Sequence, residues 1–391
     1  MSELPLVVFS HLRWDSVFQR PHHLISRLSR RRLVLFVEEP MAAEPGVPDS
    51  WDLQFTTPRL RICRPVLTGE SAGFGGDFER LARMMNLLLR WQEVEGHVAW
   101  LYTPMAWPLA RSLSPELVVY DCMDELSAFL GAPPKMRDRE AELLRSADVV
   151  FTGGASLYRA KRAHHPRVRC FPSSVDARHF RPAREPLALP PDLRAIPGPR
   201  LGFFGVLDER LDRDLLAAVA DARPDWQTVL IGPVCKIDPA LLPQRPNLHY
   251  LGQRAYEDLP GYLAGFDVCL LPFARNEATR FISPTKTLEY MAAEKPIVTT
   301  RIPDVADAYS EVVYVADSPA EFIAACEAAL TASPAERAAR AEGMRRVLQR
   351  TSWATTVEAM RRELRLAARR RPLLLPARAT EAAGWAGTQV S

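Results

Sequence analysis

FISPTKTLEYMAAEKPIVTT, residues 281–300, is the stretch that decides how this chain folds. A Ser-Pro turn at 283–284 predicts a short helix over 285–293, and Pro296 with Ile297 and Val298 predicts a buried strand behind it. A helix that begins at a Pro-marked turn offers free backbone N–H groups and the positive end of its dipole, which suits a phosphate. Ser283, Thr285 and Lys286 stand at that start and are candidate anion-binding residues. Glu289 lies one turn on, on the same side as Thr285, within reach of a ribose bound beside the phosphate.

Outward from this segment the chain alternates strand and helix. Continuous apolar runs at 4–10, 32–40, 98–102, 117–121 and 149–154 predict strands buried on both faces, hence a parallel sheet under helices. Proline thickens over 183–200 and marks a linker. A second alternation comes after it, with strands at 201–206, 228–232, 248–252, 268–273, 297–301 and 312–316. The fold class is therefore α/β, two doubly wound, Rossmann-like domains facing a cleft, with ligands at the carboxyl ends of the strands. The expected division is 1–185 for the first domain, 196–350 for the second, and a frayed tail over 371–391. A helix at 353–370 carries Trp353, Val357, Met360 and Leu364 on one face.

The turn GFFGVLDERLD, residues 202–212, opens the second domain. Gly205 allows close backbone approach to a ligand, Asp208 can cap the next helix, and Arg210 can meet a phosphate with two parallel hydrogen bonds. Arg213 is the second choice for that role. Glycine at such a turn equally serves packing, Glu289 equally suits a solvated helix face, and Lys286 is a phosphate contact, a partner for Glu289 or a surface lysine. In the first domain, SHLRWDSVFQRPHHL (10–24) crowds His11, Arg13, Trp14, Asp15, Gln19 and Arg20 after a strand, which suggests a pocket; the plainer reading packs Trp14 on the core and pairs Arg20 with an acid. Of His22 and His23, one is expected on the helix surface. YDCMDE (120–125) sets Asp121 to brace the loop and Asp124 to face the cleft. Two carboxylates alone are an incomplete octahedral set, so no metal is expected.

Composition narrows the function. A net charge of +3, from 50 Lys and Arg against 47 Asp and Glu, argues against a nucleic-acid protein. The 6 cysteines are scattered singly, without a CxxC or Cys/His cluster, which fits a reducing cytoplasm and speaks against zinc. The N-terminus reads as a strand rather than a signal peptide. No apolar run approaches the length of a membrane span. The segment RRELRLAARRR (361–371) reads either as a solvated helix end or as a contact with anionic lipid on the inner membrane face.

By residues 281–298 above all, and by 10–24 and 117–125, the chain resembles GT-B glycosyltransferases of the retaining family-4 type. The wording of 10–24 is similar to a bacterial cell-envelope subgroup of the teichuronic-acid-synthesis (TuaH-like) kind. The resemblance covers 4 to about 370 and implies an enzyme, a hexosyltransferase-like glycosyltransferase of polysaccharide biosynthesis. It implies a nucleotide-diphosphate sugar as donor substrate, no further cofactor, and a glycan or lipid-linked acceptor. It also implies retention at the anomeric carbon and helix 353–370 crossing back onto the first domain. Arg210, Lys286 and the helix start at Ser283–Thr285 would hold the diphosphate, Glu289 the ribose, and Asp124 or His11 would orient donor or acceptor. The chain departs from the pattern in three places. The first of two glutamates, with seven residues between it and Glu289, falls on Phe281; Glu277 stands nearby. Glu294 takes a place where the family prefers Gly, and the Gly-rich loop after the first strand is absent. Two other readings stay open: a sugar-nucleotide epimerase on the same fold, and a catalytically inactive GT-B scaffold, which Phe281 favours.

Overall fold

A computed structural model of the chain describes residues 3–69 and 73–370; the tail expected over 371–391 lies outside them. The first domain is built on β1 (Leu6–Ser10), β2 (Val34–Glu38), β3 (Met41–Ala42), β4 (Ser50–Thr57), β5 (Leu60–Leu67), β6 (Val98–Leu101), β7 (Leu117–Cys122), β8 (Val149–Thr152) and β9 (Val168–Cys170). They run in the order β3-β5-β2-β1-β6-β7-β8-β9, and β4 pairs antiparallel with β5. The other pairings of this sheet are parallel. β1, β2, β6 and β7 are buried at every residue, as continuous apolar runs require.

The β4–β5 hairpin is an element that the apolar runs do not predict. β5 carries Arg61, Arg64 and Pro65, which break the apolar run, and Pro65 sits opposite Trp51 in the ladder. Its buried residues are spaced unevenly, so neither continuity nor alternation marks it as a strand.

The second domain holds β10 (Arg200–Phe204), β11 (Gln227–Ile231), β12 (Leu248–Gly252), β13 (Val268–Leu271), β14 (Ile297–Thr300) and β15 (Tyr314–Ala316), all parallel. Their order, β12-β11-β10-β13-β14-β15, is the doubly wound pattern whose crevice opens at the carboxyl ends of β10 and β13. Each sheet has an apolar core on both faces. Val175, Phe180, Ala183 and Leu193 belong to the core of the second domain. The segment leading into β10 therefore packs with the second sheet, although proline density alone places part of it in the first domain.

The helix Trp353–Arg370 returns to the first domain. Trp353, Val357, Met360 and Leu364 complete a core with β1, β6, β7 and the helix Arg20–Leu28. One carboxylate fastens the two ends of the chain: Glu3 accepts from Arg32 at 2.6 Å and from Arg361 at 2.7 Å. Arg361 is thus an internal counter-charge, while Arg362, Arg365, Arg369 and Arg370 face outward. Met360 is wholly buried, so Met360→Ala should cost about 2–5 kcal/mol. Urea unfolding of the full chain would measure this, and a loss under about 1 kcal/mol would show that this helix is not part of the core.

Candidate functional site

A cavity opens between the domains at the crevice of β10 and β13. The second domain contributes Phe204 at the end of β10 with Gly205 and Val206 after it, Gly232 after β11, Phe273 after β13, and Ser283, Thr285, Lys286 and Glu289 around the next helix. The first domain contributes Val17–Arg20, Met123, Asp124, Gly153 and Ser173.

The helix over the cavity is Thr285–Ala292, and no side chain caps its N-terminus at Pro284. Its first N–H groups therefore face the cavity without an internal partner of the capping kind. Lys286 stands in this first turn, 5.2 Å and 5.3 Å from the ring centres of Phe203 and Phe273. Gly205 makes room for it. A Cβ on Gly205 would lie 2.8 Å from Lys286 Cε, and the backbone there has φ +144, where a side chain is strained. The expectation that Gly205 admits a ligand is thus refined: the space is taken first by the lysine. Removal from water, then the charge of Arg210, lowers the Lys286 pKa to about 8.

Arg210 faces the same space from the turn after β10. Its backbone N and Nε donate to Asp208 Oδ1, both at 3.0 Å, and Nη2 donates to Oδ2 at 2.6 Å. Asp208 does not cap the following helix; Asp212 does, accepting from Leu215 N at 2.9 Å. The nearer acid is drawn to the guanidinium two residues on, and the one directly preceding helix Arg213–Ala222 takes the cap.

Two carboxylates line the cavity on opposite walls. Glu289 is 6 % exposed, and burial raises its pKa to about 7 against the pull of Lys286 and the Thr285 hydroxyl. Glu289 and Lys286 stand close enough to feel each other's charge, and both line the cavity, where a ligand can reach them. Asp124 lies across, past the end of β7; burial raises its pKa to about 6, opposed by Arg210 and Arg20. Its loop is braced by a buried lysine. Lys161 Nζ donates to Glu125 and to Glu140, each at 2.7 Å, and Tyr120 OH donates to Glu140 at 2.7 Å.

Of the residues expected at the site, Asp124, Gly205, Arg210, Ser283, Thr285, Lys286 and Glu289 come together around the cavity; His11 does not reach its wall. Its Nδ1 is buried without a partner among the described residues, and burial followed by Lys236 lowers its pKa to about 4, leaving the ring neutral at neutral pH. Arg20 pairs with Asp121 at 2.9 Å and Trp14 packs on Phe36, the plainer reading of both. Both His22 and His23 are buried rather than one being surface. His22 Nε2 lies 2.7 Å from Trp14 O, and His23 stacks on Trp353. Glu277 is exposed, beside Arg280, and is not on the cavity wall. Phe281 packs against the apolar core of the first domain.

Sequence reasoning missed the residues that close the cleft. Tyr256 stacks between Phe18 of the first domain at 4.4 Å and His179 at 4.1 Å. Phe129 reaches across to the cations Arg210, at 5.2 Å, and Lys236, at 4.7 Å. Asp304 of the second domain accepts from Ser156 N at the start of first-domain helix Ala155–Lys161, at 2.9 Å. Ser173 Oγ donates to Ser283 O at 2.6 Å. The last two contacts join residues 148 and 110 positions apart, and no local pattern announces them.

Residues 198–332 match the family described as glycosyl transferases group 1. The chain is 26% identical over 252 residues to the putative teichuronic acid biosynthesis glycosyltransferase TuaH of Bacillus subtilis (strain 168), a match covering 59% of this chain and 62% of that protein. Among solved structures it superposes on sucrose-phosphate synthase from Thermosynechococcus elongatus with a TM-score of 0.71 and 15% identity, covering 93% of this chain and 99% of that one. It also superposes on the E. coli trehalose-6-phosphate structure bound with UDP-2-fluoro glucose, with a TM-score of 0.67 and 14% identity over 92% and 98% of the two chains. The architecture is GT-B, and residues 198–332 of its second domain are similar to glycosyl transferases group 1.

The raised pKa of Glu289 sets the sign of a stability effect. Its ordinary value near 4.5 is exceeded in the folded chain, so the unfolded chain loses its proton first and folding is weakened as pH climbs toward about 7. Glu289→Gln should therefore raise the melting temperature of the ligand-free protein above pH 7 and leave it unchanged below pH 4.5. Thermal unfolding at the two pH extremes tests this; an equal shift at both would mean that the carboxylate is not held in a water-poor site.

Proposed function

We propose that this chain, a GT-B protein whose second domain is similar to glycosyl transferases group 1, transfers a sugar from a nucleotide-diphosphate sugar to a cell-envelope, polysaccharide or lipid-linked acceptor, with retention at the anomeric carbon. One observation carries the reading. Arg210, Lys286 and an uncapped helix start converge on a cavity that also holds a buried glutamate one turn along the same helix. Two cations and a helix N-terminus match a diphosphate, and an acceptor carboxylate beside them matches a ribose diol.

The chemistry follows from where charge develops. When the bond from the anomeric carbon to the diphosphate oxygen breaks, negative charge grows on the leaving group. Arg210 is held in place by Asp208 beforehand, and Lys286 is already partly stripped of water, so little reorganisation is needed to meet that charge. The acceptor oxygen bonds the anomeric carbon on the same face, and its proton passes to a phosphate oxygen of the departing group. No protein nucleophile is required. Asp124, on the opposite wall, orients the donor sugar or the incoming hydroxyl; its pKa of about 6 leaves it mostly ionised at neutral pH. Asp121 is committed to Arg20, so the Asp121/Asp124 pair does not present two free carboxylates to a metal.

Because Phe281 packs on the first domain, the polar contact made by a glutamate at that position falls to other groups, and Asp124 is the nearest in kind. The outward arginines of helix Trp353–Arg370 would meet anionic lipid, bringing a lipid-linked acceptor to the cleft from the cytoplasmic face. Among the described residues no helix is long and apolar enough to cross a membrane.

Calorimetry with nucleoside diphosphates and their sugars, uridine, guanosine and thymidine forms in turn, is the direct test. Arg210→Ala and Glu289→Ala should each weaken binding by about tenfold or more, and unchanged affinity in both would overturn the reading. Release of nucleotide only in the presence of an acceptor marks a transferase. Binding without turnover on any acceptor marks a scaffold, and a rearranged sugar nucleotide without acceptor marks an epimerase. Asp124→Asn should lower turnover by about 100-fold with little change in donor affinity. Donor affinity should fall as pH rises through about 8, where Lys286 loses its proton, and Lys286→Met should abolish that fall.

A further inference from the structure

The second domain has another cavity at the opposite edge of its sheet. It lies by the residues that precede β13 and β14 and by Tyr314, the first residue of β15, whereas the cleft lies at the carboxyl ends of the strands. The cavity measures about 310 Å³. Its lining carries Arg184, Lys295, Arg337 and Arg340 against Asp267 and Glu294, an excess of two positive charges.

Both acids are already committed. Asp267 accepts from Arg200 N at 2.7 Å. Glu294 accepts from Arg184 at 2.7 Å and from Arg345 at 2.9 Å. Glu294 is also held at φ +54, a conformation that favours glycine, at the position where the resemblance leads one to expect glycine. Its carboxylate is what ties the two arginines at the rim. Three cations of the lining bond to other groups than carboxylates. Lys295 donates to the carbonyls of Ala264 and Phe266, and Arg337 to those of Leu330 and Ala332. Arg340 lies 3.8 Å over the ring of Tyr314, and its Nη1 is buried with no hydrogen-bond partner among the described residues. Arg340 as a residue is only half-buried and lines the cavity, so a ligand there meets its guanidinium.

We propose that this cavity is a second anion site, which takes a small phosphate-bearing ligand on Arg340, with Arg337 and Lys295 completing the charge. A phosphate supplies acceptor oxygens for the planar fork of Arg340 and for the point charge of Lys295. The inference stands apart from the transferase reading, since none of its residues lines the cleft. Inorganic phosphate and a phosphomonoester, glycerol 3-phosphate, are the probes, each titrated by calorimetry into the full chain carrying Arg210→Ala, which removes one of the cations that line the cleft. Saturable binding should persist in that background and weaken about tenfold when Arg340→Ala is added. Arg337→Ala, at an exposed position, is the second variant and should weaken binding in the same direction. Tighter binding of the ester than of free phosphate would identify a phosphorylated metabolite as the ligand; the reverse would identify free phosphate. Loss of all phosphate binding in Arg210→Ala alone, or affinity unmoved by both Arg340→Ala and Arg337→Ala, would overturn the proposal.

Discussion

The grip of Asp208 on Arg210 is the interaction around which the cleft is arranged. A guanidinium at a strand end, in a space partly closed to water, would otherwise fold back onto backbone or solvent. Asp208 holds it by three hydrogen bonds from Nε and Nη2, and the backbone N–H of the same residue adds a fourth. A carboxylate with 4 % of its side chain exposed fixes the arginine without neutralising the local field, because Lys286 and Lys236 stand close by. Burial first, and then that concentration of positive charge, sets the remaining shifts. Lys286 is pushed toward its neutral form, and Asp124 is raised less than burial alone would raise it.

The same crowding explains why the two domains meet so closely. Phe129 packs against Arg210, Tyr256 bridges Phe18 and His179, and the hydroxyl of Ser173 reaches the carbonyl of Ser283, just before helix Thr285–Ala292. Each contact is small and partly polar, as contacts between domains that open and close tend to be. Phe281 adds an apolar component: where a polar sugar contact would be looked for, the chain places a ring against the first domain. Phe18, Ser173 and Tyr256 thus both join the domains and line the cavity, whereas Phe129 and Phe281 lie off its wall.

Much of this is legible in the sequence, and the remainder is not for identifiable reasons. The parallel strands announce themselves because burial on both faces demands uninterrupted apolar runs, as in Leu6–Ser10 and Val268–Leu271. The helix over the cavity is legible from Pro284 and the spacing of Thr285, Lys286 and Glu289. The hairpin of β4 and β5 is not, since Arg61, Arg64 and Pro65 interrupt the pattern that would reveal it. Partners of charged groups are the least readable. Lys161 finds Glu125 and Glu140, 36 and 21 residues away, and only the fold brings them together. Local proximity misleads in the other direction at Asp208, a reasonable cap by position that Arg210 claims instead. His11 is a case where chemistry suggests a role and the residue is not among those lining the cavity.

The returning helix has a consequence for how the protein is made. The first sheet's apolar face is covered in part by Trp353, Val357, Met360 and Leu364, and Glu3 waits for Arg361. During synthesis, the first domain must hold exposed Leu6, Val8, Trp100 and Phe151 until the helix Trp353–Arg370 has left the ribosome. The second half has no such wait. Domains translated in one order are therefore finished in the other, and a chain cut before Trp353 would leave the earlier one permanently uncovered.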